Sequence, residues 1–132
     1  MVVDDTAYAF GTNGPAGTIQ VLVSTDLASW ELRGSALAGV PGWARPGFTW
    51  APAAVRTFDG YLLFYTARDR VSGHQCISRA TSPNPEGPYT DTSIAPLICQ
   101  HDHGGSIDPS PYRDDTGRLH LTWKSEGETV GR

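Results

Sequence analysis

The chain has 132 residues and a formal net charge of −4, with 10 Lys and Arg side chains against 14 carboxylates. That length holds one small domain or a part of a larger one, and the acidic balance argues against nucleic acid, whose phosphates call for a clustered basic face. No apolar run approaches the ~20 residues of a membrane span, so no membrane partner is expected, and no apolar segment follows a basic start.

Helix formers are scarce while Gly, Pro, Thr and aromatic residues are plentiful, which predicts an all-β chain. Residues 2–12 read as a hairpin reversing at Asp4-Asp5-Thr6, and residues 13–18 as a glycine-rich loop. Residues 19–24 form a strongly apolar strand, followed by a turn over 25–29 and the segment Trp30-Glu31-Leu32. A Gly- and Pro-rich connection over 33–49, with Trp43 inside it, leads to a strand over 50–55. Asp59-Gly60 then supplies the backbone conformations of a tight reversal into the apolar run 61–66. A strand over 75–80, a turn over 81–89 with three prolines, and a short strand over 94–99 follow. No helix is expected.

The last stretch carries the most chemistry. Gly104-Gly105-Ser106-Ile107-Asp108-Pro109-Ser110 sets one carboxylate at the head of a strand, entered through a permissive glycine pair. Asp114-Asp115-Thr116-Gly117 reads as a hairpin turn, and residues 118–123 alternate apolar and polar as a half-buried strand does. By pattern alone Asp108 is either a turn cap or a site residue. Cys76 and Cys99 are either bridged, which suits an exported protein, or two buried thiols, which suits a cytoplasmic one. Their places in the strand order put them on neighbouring strands, within bridging reach. His101-Asp102-His103 does not make a metal site, because two alternate residues rarely close a coordination shell without distant partners. No metal or other cofactor is expected.

These pieces repeat. Phe10, Phe64 and Leu121 follow their turns at offsets of 54 and 57, and Thr25 and Thr81 open matching turns that end in Trp30 and Tyr89. A unit of about four strands recurring at that period suggests a β-propeller, with a β-sandwich as the alternative. Blade one then covers about residues 1–40, blade two about 48–100 and the start of blade three about 104–132. Since a propeller closes with about four or more blades, the chain is expected to be a piece of a larger ring. Trp30 and Trp123 fall where residues pack between blades.

Trp50-Ala51-Pro52, the Thr-Ser-Pro-x-x-x-Gly-Pro-Tyr run at 81–89, and above all Gly105-Ser106-Ile107-Asp108-Pro109-Ser110 followed by Asp114-Asp115-x-Gly117 resemble glycoside hydrolase family 43. The resemblance spans essentially the whole chain, with its pieces in order. It implies a five-bladed β-propeller enzyme acting on arabinose- and xylose-containing plant polysaccharides. Three carboxylates carry that family's activity: an Asp base, an Asp that tunes and orients the acid, and a Glu general acid. Asp108 matches the second, with Ile107 beside it as a substrate-binding neighbour. The repeat sets Ala51 at the position of Asp108 in blade two, and puts the blade-one counterpart about three residues before Met1. The base is therefore expected outside the chain, as is the acid, and neither Asp4, Asp5, Glu126 nor Glu128 replaces them.

Sugar rings present apolar faces that stack on aromatic side chains, so Trp50 and then Trp43 are the expected subsite walls. The leading expectation is an inverting glycosidase with a carbohydrate substrate. A non-catalytic carbohydrate-binding propeller and a five-bladed enzyme acting on fructosides are the alternatives.

Overall fold

The computed structural model describes residues 1–127, so Glu128 lies outside the described residues. The backbone falls into three antiparallel sheets in chain order. The first orders β1 (Val2–Val3), β2 (Thr6–Gly11), β3 (Gln20–Ser24) and β4 (Glu31–Ser35) side by side. The second pairs β5 (Ala44–Arg56), β6 (Tyr61–Asp69) and β7 (Gln75–Ser82), and the third pairs β8 (Ser106–Arg113) with β9 (Leu119–Ser125). Successive meandering sheets of this kind are propeller blades: two, and the first hairpin of a third.

The repeat is visible in the register. Met1 exchanges backbone hydrogen bonds with Tyr8, Val55 faces Leu62, and Tyr112 faces His120. On the first strand of each blade the offsets of 54 and 57 therefore hold. On the second strand the later offset is 58, because five residues separate Arg113 from Leu119 where four separate Arg56 from Tyr61. Phe64 thus corresponds to Thr122, not to Leu121.

Four further expectations need correction. β5 begins at Ala44, inside the expected connection, and register shifts between Arg45 and Thr49 and between Trp50 and Ala53 absorb its Pro and Gly content. Residues 94–99 form no strand; only Ile98 bridges to Ile77, in a segment where Pro96 offers no N–H to a ladder. A single 3₁₀ turn, His101–His103, stands where no helix was expected. Trp30 is 41% exposed rather than packed. It lies beside the edge strand β4 and anchors only its indole N–H, to the Leu27 carbonyl, while the Trp123 indole N–H donates to Gln100 Oε1.

The seam between blades one and two is the apolar core. Ile19, Val21, Ala36 and Leu37 meet Leu63, Tyr65, Ala67 and Tyr89 there, all essentially without exposure. Tyr89 ties the seam through its backbone, donating to the Ala36 carbonyl and accepting from Ala38 N–H, and its ring takes Phe10 edge-on at 6.0 Å. A half-buried polar knot forms around the hydroxyl of the seam's Tyr65. Asp91 accepts from Tyr65 Oη at 2.6 Å, Ser78 Oγ at 2.5 Å and Ser93 N–H at 2.8 Å. Burial, reinforced by the Asp91 carboxylate, pushes the Tyr65 hydroxyl far up.

Cys76 and Cys99 are bridged, with Cα atoms 4.7 Å apart. The bridge pins the chain that leaves blade two to the buried strand β7, where few ladder bonds do so. Closing a loop of 23 residues' separation restricts the unfolded chain by about 3 kcal/mol in the chain-entropy account. Cys99→Ser, read against the wild type by denaturant unfolding, should lose a stability of that order.

At the far end of blade three, Asp114 closes the β8–β9 turn. Its Oδ1 accepts from Thr116 Oγ, Thr116 N–H and Arg118 N–H, and Oδ2 accepts from His120 Nε2 at 2.7 Å. The Thr116 and His120 side chains lead in holding this carboxyl down at about 2, from an ordinary 3.8. A depressed carboxyl stabilises above its unfolded value and loses that contribution as pH falls through the folded one. Hydrogen exchange at the Thr116 and Arg118 amides should therefore be slower in the wild type than in Asp114→Asn at pH 5. The two should converge as the pH approaches 2.

Candidate active site

The first strands of blades two and three carry the same backbone departure. Ala51 and Asp108, one repeat apart, have φ of 45° and 57°. Each sits in a register shift, between Trp50 and Ala53 in one blade and between Ile107 and Ser110 in the next. Left-handed backbone is unfavourable for a residue with a Cβ, though an Asp tolerates it better than most. The bulge re-aims the side chain out of the ladder. In blade two it presents a methyl group; in blade three it presents a carboxylate.

Several devices hold Asp108 there. The chain enters β8 through Gly105, whose φ is 120° and on which a Cβ would stand 2.4 Å from the Gln75 carbonyl oxygen. Only glycine lets the entry lie so close to β7. Ser106 is fully buried; its Oγ accepts from Gln100 N–H at 3.1 Å and donates to Gln100 Oε1 at 3.3 Å. Asp108 N–H itself donates to Thr66 Oγ1, 3.3 Å away on β6 of the preceding blade. Thr66 is without exposure. Arg113 fastens the other end of β8, donating to the Gly117 and Arg56 carbonyls at 2.8 Å each.

Thr66 is also where the expected site residues meet. Trp50 lies opposite it across β5–β6, half-buried, and Ile107 precedes the bulge, half-buried opposite Lys124. The Asp108 side chain is 55% exposed, and Lys124 Nζ stands 3.8 Å from its Oδ2. An ion pair this open contributes little to stability and leaves the carboxylate oxygens free. Trp43 goes elsewhere: it packs against the seam between blades one and two, and its indole N–H donates to Ser93 Oγ at 2.9 Å. Thr66 carried no signal in the sequence, because a threonine in a β-strand is ordinary. Phe48, over which the Arg68 guanidinium lies at 4.5 Å, was equally silent.

Successive meandering sheets with a carboxylate turned out of a bulge in the third make a partial propeller, and this fold and sequence have known relatives. Residues 1–131 match glycosyl hydrolases family 43, and the chain belongs to that family. A thermostable family-43 glycoside hydrolase of known structure is 26% identical, with a TM-score of 0.84 over 99% of this chain and 42% of its own. The endo-1,4-beta-xylanase of Bacteroides thetaiotaomicron VPI-5482 is 32% identical, with a TM-score of 0.71 over 93% of this chain and 40% of its own. Among curated proteins, the beta-D-galactofuranosidase xynD of Aspergillus niger is 28% identical over 110 residues, 74% of this chain and 32% of that protein. The chain thus spans a third to about two-fifths of the length of these relatives.

Thr66 should act as a positioning residue. In the whole protein, Thr66→Val removes the acceptor for Asp108 N–H while keeping the shape. The expected result is a several-fold fall in kcat at little change in KM, with recovery in Thr66→Ser. An equal loss in the serine variant would assign Thr66 to packing alone.

Proposed function

We propose that the whole protein carrying this chain is an inverting glycosidase of arabinose- or xylose-containing plant polysaccharides, with Asp108 tuning and orienting the general acid. The observation that carries this reading is the left-handed bulge at Asp108, matched by one at Ala51 in the blade before. Packing alone gives no reason for the same strained geometry to hold a methyl group in one blade and an exposed carboxylate in the next. Trp50 is the aromatic wall beside it. Ile107 flanks the carboxylate, and Trp43 supports the seam behind.

Inversion needs a carboxylic acid to protonate the leaving oxygen and a carboxylate to activate water across the ring, roughly 6.5–9.5 Å apart. The acid must stay protonated near neutral pH, which a neighbouring negative charge brings about by raising its pKa. Asp108 supplies that charge. The base and the acid come from other blades, which the propeller axis brings to one point. The bridge between Cys76 and Cys99 supports an exported protein, since disulfides persist in oxidising compartments.

Asp108→Asn in the whole protein tests the assignment. With the charge gone the acid's pKa falls, so the alkaline limb of the kcat–pH profile should move to lower pH. We expect kcat on aryl arabinofuranoside, xyloside or galactofuranoside to fall on the order of 10²-fold, the lower range for loss of acid–base assistance, with KM nearly kept. A lowered Tm with an unmoved profile would reduce Asp108 to a turn cap. The 132-residue chain alone should show no turnover.

A further inference from the structure

Beside the mouth of β8 lies a second feature that the proposed chemistry does not use. A hollow of about 490 Å³ is lined by His74, His101, Asp102, His103, Gly104 and Ser125. Three chain segments build it: the β6–β7 turn, the 3₁₀ turn after the disulfide, and the end of β9. It opens at the same end of blade three as Asp108. Ser125 pairs with Ser106, and Asp108 stands two residues further along β8, about 7 Å at the rise of a strand.

The walls are fixed before any ligand arrives. The Cys76–Cys99 bridge and Gly105 hold one wall against β7. Gly127 N–H donates to the His103 carbonyl at 2.8 Å and Glu126 N–H to the Gly105 carbonyl at 3.1 Å, joining the end of β9 to the same loop. On the β6–β7 side, Asp69 Oδ2 accepts from Ser72 Oγ at 2.6 Å and Ser72 N–H at 2.8 Å, which shapes the turn carrying His74. A preformed hollow keeps the ordering cost of binding low.

One lining group, the His74 Nδ1, lacks a protein partner. Among the described residues, the side-chain atoms that are buried without a hydrogen-bond partner belong to three residues: Arg68 Nε, His74 Nδ1, and both amide atoms of Gln75. Arg68 and Gln75 face each other across β6–β7, and His74 adjoins Gln75. Unpartnered buried groups are few in folded proteins, and of these three residues His74 lines the hollow.

The character of the lining narrows the ligand. Asp102 among the imidazoles, with Glu126 close to Gly105 on the other side, disfavours an anion. Among the described residues no group of three metal-ligating side chains is arranged to hold an ion. The polar lining offers nothing to an apolar ligand. Imidazole, carboxylate and hydroxyl together donate and accept, as the hydroxyls of a neutral sugar also do, and the imidazole faces can take the apolar side of its ring. The volume lies within the range of small-molecule sites, far above that of a single water.

We propose that this hollow is a distal saccharide subsite, holding a neutral sugar unit of the same chain whose scissile bond lies by Asp108. The proposal rests on the glycosidase reading, and it deepens it: it makes the enzyme favour longer chains over single-sugar glycosides.

The test uses the whole protein with Asp102→Ala and His103→Ala, both exposed positions, and Asp102→Asn as a milder partner. The ratio of kcat/KM on linear xylo- or arabino-oligosaccharides to kcat/KM on the aryl glycoside of the same sugar should fall about tenfold in each alanine variant. Calorimetric titration of the same oligosaccharides into Asp108→Asn protein should show a matching loss of affinity when either alanine is added. An unchanged ratio together with unchanged affinity overturns the subsite. Oligosaccharide binding that weakens in the variants, in a wild-type protein that turns over no glycoside, upholds the subsite and removes the glycosidase reading.

Discussion

The close approach of Gly105 to β7 decides where blade three begins. A parallel bridge joins Gly105 to Gln75, leaving no room for a Cβ beside the Gln75 carbonyl. Once the backbone is seated there, Ser106 is buried, Ile107 enters the ladder and Asp108 arrives over Thr66. The disulfide at Cys99, six residues earlier, ties the same segment to β7 as well. Sequence position alone would not hold a carboxylate in left-handed backbone. It persists because the strands on either side over-determine it, as strained residues at functional sites require.

Much of this was legible as repetition. The hairpins over β1–β2, β5–β6 and β8–β9 announce themselves through turn residues followed by alternating or apolar runs, and those set the blade spacing on the first strands. The spacing on the second strands was not legible, because one extra residue in a turn shifts every partner while leaving the composition alike. The segment 94–99 looked like a strand because Ile94, Leu97, Ile98 and Cys99 are apolar, yet Ile94 is exposed and the segment is held by one bridge and one disulfide. Trp30 shows the same limit from the other side. Its size suggested burial, whereas it lies beside a sheet edge, keeps its ring in the open and satisfies only the indole N–H.

The site was half-legible for a related reason. Asp108 stood out by its neighbours, a glycine pair before it and a proline after it. Ala51 did not, because nothing in Trp-Ala-Pro reveals positive φ at an alanine. The equivalence of the two bulges becomes physical only when both backbones are seen. Trp43 stands just before β5, partly buried against the seam, where an aromatic in a long Gly/Pro connection reads only as a loop residue.

The two seams between blades are built differently, and the difference suits their tasks. Blades one and two meet through buried aliphatic and aromatic side chains, with the half-buried Asp91 satisfying the Tyr65 hydroxyl at the margin. Apolar packing of that kind supplies stability without demanding a single orientation from any one group. Blades two and three meet at the site through hydrogen bonds from Asp108 N–H to the buried Thr66 and from the buried Ser106 to Gln100, which also accepts from the Trp123 indole. Hydrogen bonds between buried groups depend steeply on distance and angle, so such a seam contributes less net stability per area but fixes geometry more closely. A carboxylate held in left-handed backbone needs the second kind of support. The fold therefore places its non-directional packing away from Asp108 and its directional bonding beneath it.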